Sequence, residues 1–419
     1  MGGRTADTLR ADRAYAGEVS RPLHEVPCPT SSSSADVSTL TSALVLAMDG
    51  TGPAVAPVDA SARSGEGRPT SPGTTTVPDD VALVVRTSGS TGEARGVMLG
   101  AVALRASAQA TAARLGGPGR WLLALPAHHV AGLQVLVRSV LAGTMPVLLP
   151  PGPFRAPAFV EAAAVLHGPG TDGGPRYVSL VPTQLVRLLD DPAGTDALRG
   201  FDAVLVGGAA ASGRLLERAR DARVAVVTTY GMSETCGGCV YDGVPLDGVH
   251  VTVADDGRIL LDGPVLATGY LGRPDLGATT FVQHGGVRTL RTSDAGRWDE
   301  GRLTVLGRLD DVLVTGGVKV APAAVEDVVA GLPTVAEVCV VGVADPEWGQ
   351  VVVAVVVPRP GTHGPALDEV RVVVGDRLGA AAAPRHVLTV DALPGRGPGK
   401  TDRRAVTDLA ARTIRPAHR

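Results

Sequence analysis

The chain has 419 residues, of which 44% are hydrophobic and 3% aromatic, and its 39 basic and 42 acidic residues give a formal net charge of −3. This balance argues against a nucleic-acid partner or an anionic membrane surface, and so few aromatic residues provide little stacking surface for single strands. The apolar runs are too short to span a membrane and the N-terminus has no signal-peptide core, so we expect a cytoplasmic location. The length predicts two or three domains.

The first predicted elements follow a polar stretch. Residues 1–40 contain a serine run, so we expect a loosely ordered N-terminal arm there. From Val81 onward, short runs of Val, Leu and Ile alternate with helical patterns, among them one from Ala101 to Leu115 and one that begins at Val130. Such alternation is typical of parallel sheets with helices on both faces.

The pattern changes after about residue 250 to short strands with polar turns, a strand pair and two further helices. We therefore predict an α/β protein with a large N-terminal domain of layered α/β subdomains and a small, mobile α+β C-terminal domain. The predicted divisions are an arm at 1–40, a large domain at 41–307, a hinge at 308–311 and a small domain at 312–419.

A glycine- and hydroxyl-rich segment directly follows the predicted strand at Val81. It consists of Thr87, Ser88, Gly89, Ser90, Thr91 and Gly92, with Arg95 three positions later. Glycines let the backbone turn and bring amide N–H groups close to an anion, hydroxyls donate to phosphate oxygens, and an arginine adds a forked cationic donor. An ordinary surface loop is the alternative, which the unbroken run after a buried strand disfavours.

The same segment resembles the phosphate loop of the acyl-adenylate-forming superfamily, which includes acyl-CoA synthetases, luciferases and adenylation domains. Its usual form ends Pro-Lys-Gly, and this chain has Ala94-Arg95-Gly96 instead, which keeps the charge. The resemblance implies the adenylate-forming enzyme fold and a ligase that uses ATP, Mg²⁺ and coenzyme A to convert a carboxylic acid into a thioester. Because the loop begins early, we expect the large domain to be shortened at its N-terminus.

Further motifs match the superfamily in the same order along the chain. The ATP contacts that the resemblance implies are the turn at Gly207 and Gly208, which also borders the substrate, Tyr230 stacked on adenine, Gly231, Ser233 at the phosphate, Asp294 at the ribose, and Arg308. Glu234 matches the Mg²⁺ ligand, a role that suits a lone carboxylate beside a triphosphate. Lys400 matches the catalytic lysine, whose charge would stabilise the transition state as pyrophosphate leaves. Each residue alone could cap a turn or pair on the surface, but five motifs in one order favour the resemblance.

Two features of the C-terminal region would serve domain movement. The resemblance places the hinge at Asp310, where one residue absorbs the rotation of the small domain. It implies that Lys400 faces the active site for adenylation and that Gly316 and Gly317 face it afterwards, where they leave room for the pantetheine arm of coenzyme A. A hairpin turn is the simpler interpretation of the two glycines, and the two are compatible.

The acyl site is expected at His129, which takes the position of the superfamily's gating residue. His129 could also be a helix-start histidine satisfied by backbone groups. The segments around His129 and Glu234 together resemble the o-succinylbenzoate–CoA ligases of menaquinone biosynthesis, whose substrate is an aromatic dicarboxylate. Arg138 lies nine residues after His129 on the predicted helix, and we interpret it as an anchor for the carboxylate that does not react. A surface arginine is the alternative.

Two other functions remain open. The chain could be another acyl-CoA synthetase, or an enzyme of the same fold that loads a carrier-protein thiol or stops at the adenylate. It could also be a non-catalytic nucleotide-binding protein, against which the presence of Glu234 and Lys400 argues. Cys236-Gly-Gly-Cys239 looks like half a zinc site with no second half, so we interpret it as part of a pocket wall. A homo-oligomer is left open.

Overall fold

The computed structural model describes residues 20–28, 34–59, 75–88, 94–150, 152–168, 173–395 and 401–414. The helices in these ranges are α1 (Ser34–Met48), α2 (Ala101–Leu115), α3 (Val130–Leu141), α4 (Ala156–His167), α5 (Pro182–Leu189), α6 (Pro192–Arg199), α7 (Gly213–Asp221), α8 (Pro274–Thr280), α9 (Pro322–Ala330), α10 (Leu367–Leu378) and α11 (Arg403–Ile414), with 3-10 turns at Ser233–Thr235 and Leu309–Asp311. No helix in the described part of the chain is long and apolar enough to traverse a bilayer.

The strands form four sheets. In chain order they are β1 (Ser20–Cys28), β2 (Ala54–Asp59), β3 (Thr76–Pro78), β4 (Val81–Ser88), β5 (Ala94–Gly100), β6 (Arg120–Leu123), β7 (Val147–Leu148), β8 (Arg176–Leu180), β9 (Ala203–Val206), β10 (Val226–Met232), β11 (Gly237–Tyr241), β12 (Val244–Pro245), β13 (His250–Val253), β14 (Arg258–Asp262), β15 (Gly269–Tyr270), β16 (Phe281–His284), β17 (Val287–Asp299), β18 (Arg302–Arg308), β19 (Leu313–Thr315), β20 (Val318–Val320), β21 (Val335–Asp345), β22 (Gly349–Pro358) and β23 (His386–Thr389).

The first sheet has the order β15-β5-β4-β2-β1-β3 and is mixed, because β4–β5 and β5–β15 pair antiparallel while β1–β2 and β2–β4 pair parallel. The arm predicted at 1–40 is wrong for residues 20–28, which form β1 inside this sheet, and for the residues from Ser34 onward, which begin α1. The two prolines in β1 disfavour a strand, because proline cannot donate a backbone hydrogen bond. Pairing with β2 on one side and β3 on the other outweighs this cost. Residues 1–19 and 29–33 lie outside the described residues.

The second sheet has the order β12-β11-β10-β9-β8-β6-β7. Its pairs from β10 to β7 are parallel, as predicted from the continuous apolar strands. Strands β11 and β12 add antiparallel at the β10 edge. The carboxyl ends of parallel strands lie at one edge of a sheet, so the turns after β8, β9 and β10 open together there.

The third and fourth sheets lie on either side of the segment predicted as the hinge. The third sheet has the order β13-β14-β17-β16 with β18 on β17, and it ends at Arg308. The 3-10 turn Leu309–Asp311 follows, and the fourth sheet begins at Leu313 with the order β20-β19-β22-β21 and β23 on β22. Helices α9 and α10 pack on one apolar face of the fourth sheet and α11 on the other.

Candidate active site

One cavity of about 1610 Å³ lies between the second sheet, the third sheet and the C-terminal domain that contains the fourth sheet. Most of the site residues predicted from the sequence line it. They are Thr87, Arg95, His129, Arg138, Gly207, Gly208, Tyr230, Gly231, Ser233, Glu234, Asp294, Arg308 and Asp310. Residues separated by more than 200 positions in the chain therefore share one space.

The base of the predicted phosphate loop is an antiparallel hairpin. Strands β4 and β5 pair Thr87 with Arg95, and the hydroxyl of Thr87 lies 3.5 Å from the carbonyl oxygen of Arg95. The loop that joins the two strands therefore projects from a fixed pair at the wall of the cavity. The sequence predicted the strand before the loop and the helix after it, but not that β5 lies between them. Gly89, Ser90, Thr91 and Gly92, and the side chain of Ser88, lie outside the described residues.

Glu234 is held next to this hairpin by Tyr270. Tyr270 pairs with Val97, which lies on β5 two positions after Arg95. The hydroxyl of Tyr270 donates to Glu234 Oε1 at 2.8 Å. Burial, with the charge of Glu234, raises the pKa of the Tyr270 phenol, so the phenol stays protonated and donates. The segment just before β15 also fixes the backbone of Glu234, since the amide of Ala267 donates to the carbonyl of Glu234 at 2.8 Å. The hairpin and the acid are thus close enough to contact one triphosphate.

Tyr230 and Asp294 meet across two sheets. The phenol at the end of β10 donates to Asp294 Oδ2 on β17 at 2.8 Å. Burial is the main cause that raises the pKa of the Asp294 carboxyl, while the bond from Tyr230 and the charge of Arg308 lower it. Arg308 stands opposite Asp294 in the β17–β18 register and pairs with Asp310 at 3.1 Å. These groups form a polar wall whose carboxylate could accept hydroxyl donors.

Glycines let the backbone form the wall between β9 and β10. Gly208 has a φ of +79°, a conformation that side chains rarely adopt. A Cβ at Gly231 would lie 2.0 Å from the carbonyl oxygen of Gly237, so only glycine permits the approach of β10 to β11. Both residues line the cavity, where a larger residue would displace backbone.

Helix α3 forms the opposite end of the cavity. His129 is its N-cap residue, Gln134 and Arg138 lie four residues apart on one face of the helix, and all three residues line the cavity. Arg138 is only 8% exposed, so the alternative of a surface arginine is wrong. Its Nη2 donates to Thr111 and Tyr241. Its Nε and the Oε1 of Gln134 are buried without a hydrogen-bond partner among the described residues.

No carboxylate in the described part of the chain forms an ion pair with Arg138. Its guanidinium lies instead over the ring of Trp121, 4.9 Å from the centroid, and this contact offsets part of the cost of burial. A buried cation without an acid is costly in a protein interior unless an anion joins it. This end of the cavity therefore suits an anionic group.

Some predicted site residues are not brought to the cavity. Gly316 and Gly317 do not line it; they form the β19–β20 turn, and a Cβ at Gly316 would meet the ring of Trp348 at 2.8 Å. Lys400 lies outside the described residues. Thr401 and Arg403, which follow it, do line the cavity.

Several residues of the site were missed by the sequence analysis. They are Gln134, Tyr270, Lys319, Glu326 and Arg403, all of which line the cavity. Gln134 could have been found, because it stands four residues before Arg138 and so on the same helix face. Tyr270 could not, since only the pairing of β15 with β5 brings it to Glu234.

The cysteine pair after Glu234 is part of the packed interior. Both Cys236 and Cys239 are buried, and burial raises the pKa of each thiol, to about 12 for Cys239. Gly237 and Gly238 between them line the cavity, as the interpretation of a pocket wall predicts. Within the described ranges, no group of three or more His, Cys, Asp or Glu could hold a metal.

Comparison with known families identifies the chain. Residues 24–271 match the model of the AMP-binding enzyme family, and residues 324–400 match that of the AMP-binding enzyme C-terminal domain. The chain belongs to the AMP-binding enzyme family. The two matches lie on either side of the 3-10 turn at Leu309–Asp311.

The relatives of this AMP-binding enzyme include named ligases. It is 48% identical over 331 residues to a probable 2-succinylbenzoate–CoA ligase of Mycobacterium tuberculosis, a match that covers 79% of this chain and 85% of the relative. Among solved structures it resembles the o-succinylbenzoate coenzyme A synthetase MenE from Bacillus subtilis in complex with AMP, with 28% identity, a TM-score of 0.68, and coverage of 84% and 75%. It also resembles the amide bond synthetase McbA from Marinactinospora thermotolerans, with 27% identity, a TM-score of 0.70, and coverage of 89% and 78%.

These matches bear on three predictions. The adenylate-forming fold, with a large N-terminal domain and a C-terminal domain, is confirmed. The resemblance to the superfamily is confirmed. The class of AMP-forming acid–CoA ligase is confirmed, and with it the use of ATP. The roles of the individual site residues are proposals and follow below.

Proposed function

We propose that this enzyme is the 2-succinylbenzoate–CoA ligase of menaquinone biosynthesis. In the first half-reaction one carboxylate oxygen of the acid attacks the α-phosphorus of ATP, and pyrophosphate leaves to give the acyl-adenylate. In the second, the thiol of coenzyme A attacks the acyl carbonyl, and AMP leaves with the electrons of the broken C–O bond. The name of the 48%-identical relative supports this substrate.

The observation that carries the substrate class is Arg138. It is a buried cation at the acyl end of the cavity, and no acid of the described chain neutralises it. A dicarboxylate supplies one carboxylate for the reaction and one for this cation. A charge-assisted hydrogen bond of that kind contributes about 1.5–3 kcal/mol. His129, at the start of the same helix, borders the reacting carboxylate in this proposal.

The other end of the cavity holds the nucleotide in this proposal. Asp294 accepts the ribose hydroxyls, Tyr230 packs against adenine, and the Thr87 hairpin with Arg95 holds the phosphates. Gly207, Gly208, Gly231, Ser233 and Arg308 complete the nucleotide wall. Positioning and charge stabilisation are the enzyme's main contribution, because the nucleophiles belong to the substrates.

Magnesium fits beside Glu234 if ATP supplies most of its ligands. The described chain offers no cage of three or more metal-binding side chains, and Mg²⁺ commonly uses one or two carboxylates together with substrate phosphates and water. The bond from Tyr270 leaves the second oxygen of Glu234 for such a role. When bound, the ion would neutralise phosphate charge.

The small domain supplies the catalytic cation and the second half-reaction in this proposal. Lys400 stabilises charge as pyrophosphate leaves, Asp310 acts as the hinge, and Gly316 with Gly317 borders the pantetheine arm. Thr401 and Arg403 line the cavity whereas Gly316 and Gly317 do not, an arrangement that suits adenylation. A cytoplasmic location remains a prediction, and the oligomeric state stays open.

The test is a pyrophosphate-release assay with MgATP and a panel of aromatic, aliphatic and dicarboxylic acids, with and without coenzyme A. We expect release to depend most strongly on 2-succinylbenzoate, and mass spectrometry to find its coenzyme A thioester and AMP. Release without acid preference, or none with any acid, would contradict the proposal and favour a non-catalytic nucleotide-binding protein.

An enzyme that passes the adenylate to another acceptor would give a different result in the same assay. Because the chain resembles an amide bond synthetase, the assay also needs reactions that contain an amine as acceptor. Further reactions with a carrier protein test transfer to its thiol. Formation of an amide or a carrier thioester in place of the coenzyme A thioester would replace the proposed acceptor while leaving the first half-reaction intact.

A further inference from the structure

We propose that Tyr241 and Thr111 are positioning residues that make the enzyme select a dicarboxylate, by holding the guanidinium of Arg138 in the orientation that receives the second carboxylate. The inference rests on the proposed function, since it concerns the same end of the cavity, where Arg138 would bind an anion. It extends that function from the residue that would touch the substrate to two residues that act through it.

Three buried polar groups form one cluster behind the acyl end. The hydroxyl of Thr111 on α2 and that of Tyr241 on β11 lie 3.1 Å apart. Nη2 of Arg138 donates to both, at 3.3 Å and 3.4 Å. Thr111 and Tyr241 are 0% and 1% exposed, so water does not compete for these hydroxyls. The cluster joins two helices and a strand around a single guanidinium.

The direction of the two bonds determines which part of Arg138 is left for a ligand. Both use Nη2, and neither uses Nη1, which has no acceptor among the described residues. The ring of Trp121 covers one face of the guanidinium plane. A guanidinium that is restrained by a ring and at one nitrogen cannot turn freely, so its remaining donors, Nε and Nη1, keep a fixed direction. Arg138 and Tyr241 both line that cavity, whereas Thr111 lies behind them.

Preorganisation explains why hydroxyls that need not touch a substrate would affect its binding. A long arginine side chain loses rotamer freedom when it binds a carboxylate, and this loss weakens binding unless the side chain is already ordered. The hydroxyl pair orders it beforehand without neutralising it, because a hydroxyl carries no charge. An acid in the same place would order the side chain equally well but would cancel the charge that the second carboxylate needs.

A purely structural role is the competing explanation, and it predicts a different result. If the cluster only stabilises the core, loss of a hydroxyl lowers the thermal stability and affects all substrates alike. If it positions Arg138, the loss acts on the second carboxylate alone. The comparison therefore needs a dicarboxylate together with monoacids of the same shape.

The experiment uses Tyr241→Phe and Thr111→Val, which remove the hydroxyls and keep the volume. The substrates are 2-succinylbenzoate and the two monoacids that each lack one of its carboxylates, 4-oxo-4-phenylbutanoate and 2-butanoylbenzoate. For each variant we expect KM for 2-succinylbenzoate to rise about fivefold to tenfold, with kcat little changed, as loss of a hydrogen bond to a charged group predicts. KM for whichever monoacid is activated should stay at its wild-type value.

Tyr177→Phe is the matched control. Tyr177 is equally buried, its hydroxyl donates to the backbone of Leu115 and Gly117, and it packs on Trp121, but it is not part of the cavity wall. We expect this variant to keep the wild-type ratio of KM values between the dicarboxylate and the monoacid. An equal rise in KM for both acids in Tyr241→Phe would overturn the inference.

A double-mutant cycle with Arg138→Leu separates this inference from the proposal beneath it. If Tyr241 acts through Arg138, Tyr241→Phe has no further effect on KM once Arg138 is leucine. A persisting effect would overturn the positioning role. A large effect of Arg138→Leu with none from Tyr241→Phe or Thr111→Val would overturn it while leaving the anchor intact. No effect of Arg138→Leu on KM for 2-succinylbenzoate would overturn both.

Discussion

The two ends of the cavity differ in how their polar groups are satisfied. At the nucleotide end, Asp294 accepts a hydrogen bond from Tyr230, and Glu234 accepts one from Tyr270. At the acyl end, Arg138 is buried without an acid among the described residues and keeps an unpaired Nε. The two acids of the first end have protein hydrogen-bond donors, whereas in our proposal the anion that pairs with the cation of the second end comes from the substrate.

The difference indicates where common chemistry and substrate selection lie. Polar groups that orient each other bind ATP in the same way whichever carboxylic acid is activated, so the nucleotide end suits any AMP-binding enzyme. An uncompensated buried cation favours only ligands that carry an anion to the same depth. The substitutions below that change one end of the cavity should leave binding at the other end unchanged.

The largest effect is expected at the nucleotide end from Lys400→Ala. Loss of a cation that stabilises the departing pyrophosphate should slow acyl-adenylate formation by about 10²–10³-fold. Pyrophosphate release in single turnover measures this step. Conversion of a supplied acyl-adenylate into the thioester should be nearly unaffected, because that half-reaction does not need the cation.

Arg404→Ala is the control for this prediction, since Arg404 is an exposed cation four positions further on. It should behave as the wild type in both half-reactions. If Lys400→Ala kept full adenylation activity, the catalytic cation would have to be another residue; Lys319 and Arg403 also line the cavity.

Glu234→Gln should have the next largest effect. Replacing a charged acceptor by a neutral one loses about 1.5–3 kcal/mol, so the Mg²⁺ concentration that gives half-maximal activity should rise about tenfold or more. Titration of activity with Mg²⁺ at fixed ATP measures it, and binding of Mn²⁺ with ATP, followed by electron paramagnetic resonance, gives a readout independent of turnover. Glu217→Gln, at an exposed position on α7, is the control. An unchanged Mg²⁺ requirement would remove Glu234 from the metal site.

Asp294→Asn should weaken ATP binding and stabilise the protein without ligand. Burial raises the pKa of the Asp294 carboxyl, so its ionised form destabilises the folded state. This penalty is absent below the unfolded pKa of about 3.9 and grows as pH rises towards the folded pKa. The Tm of the wild type should therefore fall more between pH 4 and pH 7 than that of Asp294→Asn, while KM for ATP rises about tenfold in the variant.

Asp299→Asn, at an exposed position on the same strand, should change neither the pH dependence of Tm nor KM for ATP. Identical pH profiles for wild type and Asp294→Asn would show that the carboxyl is not destabilised by burial. An unchanged KM for ATP would remove it from the ribose site.

The smallest effect is expected at the cysteine pair. Burial keeps the thiols of Cys236 and Cys239 protonated at neutral pH, and thiols react as thiolates. Neither should react with a thiol reagent until the protein is unfolded, and a zinc chelator should leave activity unchanged. Rapid labelling of the native protein, or inhibition by the chelator, would contradict the interpretation as a packed wall.

Elements with a regular apolar period could be predicted from the sequence. The bounds of α2 agree with the predicted ones, and α3 begins at Val130 as expected. Strand β1 could not be predicted, because its prolines and polar residues are tolerated only through pairing with β2 and β3. Local sequence does not carry that information, since the partners lie elsewhere in the chain.

The site shows the same division. Motifs with fixed spacing predicted that Thr87, Glu234 and Asp294 would meet, and they line one cavity. The contacts among side chains from distant elements could not be predicted, such as the bond from Tyr270 to Glu234 or the Thr111–Tyr241 pair at Arg138. These depend on how two sheets, two helices and a 3-10 turn pack, which no spacing in the chain records.

The most direct measurement is the ratio of kcat/KM for 2-succinylbenzoate to that for its better monoacid, in the wild type and in Arg138→Leu. We expect the dicarboxylate to be preferred by about 10–100-fold in the wild type, and this preference to disappear in the variant while KM for ATP stays unchanged. A wild type without preference, or a variant that keeps it, would contradict the claim that a buried, unpaired cation selects the acid.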